Sequence, residues 1–133
     1  MPHFKDSQNR VHYLDNLADA PLLPAGCAPI TDEEAAELTR PTADQIKAAL
    51  IIAVQAHLDA TAAAHGYDSI YTACTYADEP AVALFQSEGQ VLRAWRSLVW
   101  AHCHQVMADV MAQARAVPTA AELIAELPVL VMP

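Results

Sequence analysis

Hydrophobic positions recur every three or four residues over most of the chain, the period of a helix that buries one face. Ile46, Leu50, Ala53, Val54, His57 and Leu58 keep that spacing, and Thr61 continues the row with its methyl group. The row predicts a long helix that starts after Pro41 and reaches about His65, where Gly66 supplies a C-terminal stop. Ile51 and Ile52 widen its apolar surface, so it should touch more than one neighbour. A second row, Leu92, Trp95, Val99, Cys103, Val106 and Val110, is flanked by Val91, Leu98, His102 and Met107. It predicts the longest helix, opened by Pro80, bent at Gly89 and carried to about Ala116, with its middle at the centre of the fold.

Three tetrads mark further helix starts. Thr31-Asp32-Glu33-Glu34, Thr42-Ala43-Asp44-Gln45 and Thr119-Ala120-Ala121-Glu122 each set a hydroxyl three residues ahead of a carboxylate or amide, the pattern of a capping box. They predict a short helix to about Leu38, the start of the first long helix, and a last helix ending near Leu127 after the break at Pro118. Residues 67 to 78 read as a short helix or turn capped by Asp68 or Ser69. Its tyrosines Tyr67, Tyr71 and Tyr76 either roof the helical core with their hydroxyls in water or face a ligand or partner.

The beginning of the chain has a different pattern. Residues 3 to 14 place apolar-leaning stretches on both sides of a polar centre, as a short hairpin does. Two strands alone are marginal in water, so the hairpin must lean on the helical body or on another protein. Pro21, Pro24, Gly26 and Pro29 make residues 16 to 30 an extended connector, with Ile30 closing a brief strand. At the other end, Pro128 and Pro133 bracket the apolar tail Val129-Leu130-Val131-Met132. The fold class is therefore mainly α. Residues 1–40 hold the β-hairpin, Pro-rich connector and short helix, and residues 41–133 a small helical domain of two long helices plus short ones, with the apolar tail.

Alanine supplies much of the 54% apolar content while aromatics are 6% of the chain, a balance that favours helix over sheet. A net charge of -9 lacks the cationic surface that neutralises phosphates, which argues against nucleic acid as a partner. The same acidity repels anionic lipid, and no apolar run approaches the roughly 20 residues that span a bilayer, so no membrane is expected either. Lys5, Asp6, Gln8, Asn9 and Arg10 break up any signal-peptide core, which points to the cytoplasm. Cys27, Cys74 and Cys103 are odd in number and far apart, fitting a reducing compartment and small buried apolar groups rather than a disulfide framework.

No constellation selects a reaction. His102 and His104 flank Cys103, but two positions apart on a helix they diverge too far to hold one ion, and no pair of histidines has the spacing of three or four that chelation needs. Cys103 lies on an apolar stripe, where burial raises its pKa and quenches reactivity. With glycine only at 26, 66 and 89 there is no phosphate-cradling loop and no nucleophile elbow. Trp95 with Arg93 and Arg96 reads as a core ring beside an arginine, Arg96, that pairs with nearby acids. Catalytic, cofactor and metal residues are accordingly assigned as none.

Two groups of segments carry a likeness. The first is His3-Phe4-Lys5-Asp6, Val11-His12-Tyr13-Leu14-Asp15, Leu22-Leu23-Pro24-Ala25-Gly26-Cys27 and Ile30-Thr31-Asp32-Glu33-Glu34-Ala35. The second runs through Val54-Gln55-Ala56-His57-Leu58-Asp59-Ala60, Gly66-Tyr67-Asp68-Ser69-Ile70, Glu88-Gly89-Gln90, Trp95-Arg96, Trp100-Ala101 and Pro118-Thr119-Ala120-Ala121-Glu122-Leu123-Ile124. Together they resemble the tail fibre assembly proteins of tailed bacteriophages over nearly the whole chain. The resemblance implies a chaperone of the host cytoplasm that acts on the C-terminal region of a phage tail fibre protein and promotes its trimerisation. In some relatives the protein stays attached, so a virion component at the fibre tip or baseplate is the alternative. No catalytic motif comes with it. Docking by strand addition to a β-rich fibre would use Phe4, Val11, Tyr13, Leu22 and Leu23, with Val129, Leu130 and Val131 as a second patch. The fibre's identity, the stoichiometry and whether the chain is a homo-oligomer are left open by the sequence.

Overall fold

The computed structural model describes all residues from Met1 to Pro133. It is mainly α, with a small antiparallel sheet near the N-terminus. Contacts divide it into two compact units, Met1–Gln45 and Ile46–Pro133.

In the first unit, strands β1 (His3–Lys5) and β2 (Val11–Tyr13) form the expected hairpin. The connector departs from expectation. Residues Leu17–Leu22 wind into a 3-10 helix that contains Pro21, begun by the Asn16 side chain accepting from the Ala18 amide at 3.0 Å. Ile30 does close the expected brief strand, β3 (Ala28–Ile30), which pairs with β1 and gives the order β2-β1-β3. Helix α1 (Asp32–Thr39) follows and packs on β1 and β2 through buried Ala35. Its capping box is complete: the Thr31 hydroxyl accepts from the Glu34 amide at 3.1 Å, and the Glu34 carboxylate accepts from the Thr31 amide at 3.0 Å. Strands of three residues need such a helix, since a small sheet gains stability only by burying one face.

The second unit is an array of helices. Helix α2 (Ala43–Ala64) starts with the reciprocal Thr42–Gln45 bonds. It ends where Gly66 takes φ +90° and the Tyr67 amide closes on the Ala62 carbonyl at 3.1 Å. Ser69 caps α3 (Ile70–Thr75), and a 3-10 turn, Tyr76–Asp78, follows. Helix α4 (Ala83–Met111) begins three residues after Pro80, with Val82 at the cap, because the chain around Glu79 is extended and the Glu79 carboxylate ties the Ala81 amide into a turn. It stops short of Ala116 because Gln113 turns to φ 59° and the Ala114 amide closes on the Asp109 carbonyl. Helix α5 (Ala120–Glu126) is capped by Thr119, whose hydroxyl accepts from the Glu122 amide; the reciprocal half of that box is not formed.

Val54, Leu58 and Ala62 of α2, Ile70 and Ala73 of α3, Leu92, Trp95, Val99 and Val106 of α4, and Leu123 with Leu127 form one buried cluster. The helical spacing did select this face. Ile46, the first residue of its row, is however 37% exposed, and Ile51 and Ile52 stand 45% and 69% exposed. Cys27, Cys74 and Cys103 are half-buried free thiols rather than fully buried groups. Gly89 marks a close approach, because a Cβ there would lie 2.7 Å from the Ala77 nitrogen and 2.8 Å from the Ala73 carbonyl oxygen.

One expectation about membranes is corrected. Helix α2 is long and apolar enough by length and composition to cross a bilayer, with a window of mean hydropathy 1.3 that is 17% buried. Its many alanines raise the average around Asp59, which is why no uninterrupted run stood out in the sequence. The same helix buries Val54, Leu58 and Ala62 in the core, and its Asp59 carboxylate accepts from the Ile70 amide at 3.0 Å at the start of α3.

Candidate functional site: an open sheet edge and its groove

The hairpin is organised by one side chain that the sequence reading passed over. Asp6, 5% exposed, accepts hydrogen bonds from the amides of Gln8 and Arg10, from Arg10 Nε at 2.8 Å and from His12 Nε2 at 3.1 Å. The His12 bond, with those from Arg10 and Gln8, outweighs burial and holds the carboxyl far below the usual carboxylate range. Asn9 completes the turn at φ 60°, a left-handed conformation that asparagine tolerates better than most residues. The hallmark was an aspartate preceding a polar loop, a signal too common to single out.

The turn fixes the hydrogen-bond parity of the sheet. The Asp6 amide donates to the Arg10 carbonyl at 3.1 Å and the Leu14 amide to the Pro2 carbonyl at 3.2 Å, so Phe4 and His12, midway between, also face each other through their main chains. On β2, Val11 and Tyr13 therefore direct their amides and carbonyls away from β1. On β1, His3 and Lys5 face β3 and pair with Ile30 and Ala28. Pro29 is thereby left on the outer side of β3, where it offers no N–H. The sheet has one open edge, at β2, and one blunted edge, at β3.

Beside the open edge lies a groove of about 380 Å³ walled by His3, Val11 and Tyr13 of the sheet and by Asp32, Ala35, Ala36 and Thr39 of α1. The His3 Nδ1 and Asp32 Oδ1 atoms are 2.9 Å apart across it. Asp32, Glu33, Glu34 and Glu37 make α1 strongly acidic, with Arg40 at its end bonded to Glu37 at 2.9 Å.

The residues assigned to docking fall in several settings. Tyr13 is 63% and Leu22 80% exposed, while Phe4, Val11 and Leu23 are half-buried. Phe4 lies on the sheet face opposite Val11 and Tyr13, as register requires, so the first-unit residues do not make a single patch. In the second unit the tail alternates: Val129 and Val131 are 86% and 76% exposed, whereas Leu130 and Met132 pack against the core. Trp95 anchors this tail by donating Nε1–H to the Pro128 carbonyl at 2.7 Å.

Elsewhere the polar groups serve packing. Burial and the bond that its hydroxyl donates to Glu88 at 2.8 Å push the Tyr67 phenol up to about 12, so that hydroxyl is engaged by protein rather than water. Tyr76 lies between Tyr67 and Phe85, with ring centroids 5.5 and 5.7 Å away, while Tyr71 is exposed. Arg93, not Arg96, makes the ion pair, to Asp78 at 3.0 Å. Burial pushes the Cys103 thiol up, and no group of three His, Cys, Asp or Glu side chains is placed to hold a metal ion. Glu126 is clasped by both terminal nitrogens of Arg115, at 2.7 and 3.1 Å, and by His102 at 2.9 Å, which fastens α5 to α4 and draws the carboxyl down to about 2.

No family model, no curated protein and no solved structure matches the chain.

Proposed function

We propose that this chain is a non-catalytic assembly chaperone of a phage tail fibre, holding the fibre's C-terminal region while the trimer forms. The supporting observation is the exposure of large apolar side chains in the segments that carry the resemblance: Tyr13 at 63% and Leu22 at 80%. Such side chains lose water contact only when another polypeptide covers them, at about 25 cal/mol per Å² of apolar surface removed. Binding of this kind shields an unfinished β-rich fibre tip in the host cytoplasm and needs no cofactor.

Co-expression of a tail fibre gene with and without this chain tests the reading. The expected result is soluble, trimeric fibre only when the chain is present. Equal yields in both arms reject the chaperone role, and stoichiometric recovery of the chain in purified virions moves the assignment to a structural component.

A further inference from the structure

Three features meet at the outer side of β2. The main-chain groups of Val11 and Tyr13 point out of the sheet, their side chains stand on the face that α1 covers, and the groove between strand and helix runs alongside. We propose that this edge accepts one extended segment of another polypeptide as a fourth strand, with small or branched apolar side chains entering the groove and a lysine or arginine reaching Asp32. The inference deepens the fibre reading and rests on it only for the partner's name.

Antiparallel addition uses the amides and carbonyls of Val11 and Tyr13 in two closely spaced pairs of hydrogen bonds. Alternate side chains of the incoming strand then point toward α1, where Ala35 and Ala36 leave room and Val11 supplies an apolar wall. Charge selects among strands. Asp32, Glu33, Glu34 and Glu37 make one acidic helix; of these Asp32 lines the groove, where the His3 ring meets only one of its oxygens, and Lys5, opposite Val11, is the one lysine on that sheet face.

A second copy of this chain is the rival occupant, because Val11 and Tyr13 of two copies could pair about a two-fold axis at His12. That arrangement sets two acidic α1 helices on the same sheet face, between chains that each carry a net charge of -9. Like charges brought together in that way oppose pairing, and a cationic strand is favoured. The β3 edge is not an alternative, since Pro29 removes its central donor.

The test uses the full, isotope-labelled chain and a blocked peptide that alternates threonine with valine and carries a lysine at each end. Its twin carries glutamates instead. Binding is read by backbone NMR, following the amides of Val11 and Tyr13. The lysine peptide should slow their exchange with solvent by about tenfold or more, and the glutamate peptide should bind about tenfold more weakly. Ala36→Trp, a change on the exposed side of α1 that fills the groove, should abolish binding with the sheet amides otherwise unshifted. Val11→Pro, which removes an outward donor, should do the same.

Binding that survives both substitutions overturns the proposal, as does equal binding of the two peptides. Protection that rises with protein concentration in the absence of peptide overturns it in favour of self-pairing. The fibre reading is separable. If fibre yield depends on the chain but is untouched by Ala36→Trp, the edge site falls and the chaperone stands; if the peptide binds but fibre yield never depends on the chain, the reverse holds.

Discussion

Gly89 offers a measurement whose sign separates two physical accounts. A glycine inside a long helix is normally a weakness, and replacing it with alanine gains about 1 kcal/mol from backbone entropy alone. At this position, however, the new methyl would lie 2.7 Å from the Ala77 nitrogen and 2.8 Å from the Ala73 oxygen, about 0.7 Å short of ordinary contact. Both obstacles are main-chain atoms, so no rotamer change relieves them; α4 must move away from α3 and the turn that follows. Ala73, Ala77 and Leu92 are all fully buried there. Overpacking of a tight core costs about 1–3 kcal/mol, and a backbone obstacle falls at the upper end. The net expectation for Gly89→Ala is a loss of about 2 kcal/mol, equivalent to a drop in Tm of roughly 6–10 °C for a chain of this size. Urea unfolding followed by tryptophan fluorescence reports it, because Trp95 and Trp100 both lie on α4. Ala94→Gly, on the exposed side of the same helix, is the control and should cost about 1 kcal/mol by propensity alone. If Gly89→Ala is neutral or stabilising while the control behaves, the close approach does not govern this helix crossing and the reasoning fails.

Two further outcomes follow from the second unit. Trp95→Phe deletes the 2.7 Å bond to the Pro128 carbonyl and part of the ring that His57 meets edge-on, so it should cost about 2 kcal/mol and raise amide exchange of Leu130 and Met132, measured by mass spectrometry; an unchanged tail would contradict the anchoring. The Glu126 carboxyl is lowered from 4.5 to about 2 by Arg115 first and His102 second, so its contribution to stability is complete above the unfolded value and disappears as pH falls through the folded one. Glu126→Gln should therefore flatten the acid side of the stability curve between those two values, and parallel curves for both proteins would rule out the clasp as its source.

Local chemistry was legible in the sequence and long-range pairing was not. The hydroxyls of Thr31, Thr42 and Thr119 announced their helix starts because a cap is settled within four residues. The core stripe of α4 was readable for the same reason, since helical periodicity is local. By contrast, β3 pairs with a strand more than twenty residues earlier, and nothing in Ala28-Pro29-Ile30 names that partner. Gly89 looked like a bend because the sequence cannot say what crosses at the missing Cβ. The docking residues were visible as apolar positions, yet only the register separates Phe4 from Val11 and Tyr13, and only the turn bonds around Asp6 reveal which main-chain groups are unpaired. Pro21 showed a different limit: proline forbids a donor, but its fixed φ fits a 3-10 turn, here the last one, which the Leu23 amide closes on the Ala20 carbonyl, so an extended reading was not the only one its ring allowed.

Pro29 has a consequence for how far any assembly through this sheet can go. A lattice of strands propagates only if each newcomer leaves a fresh edge behind on a molecule that can be extended from both sides. Here one flank is closed by the ring of an imino acid, so each molecule contributes a single berth. Whatever occupies it, the chain acts as an end-piece that halts sheet growth instead of seeding a filament.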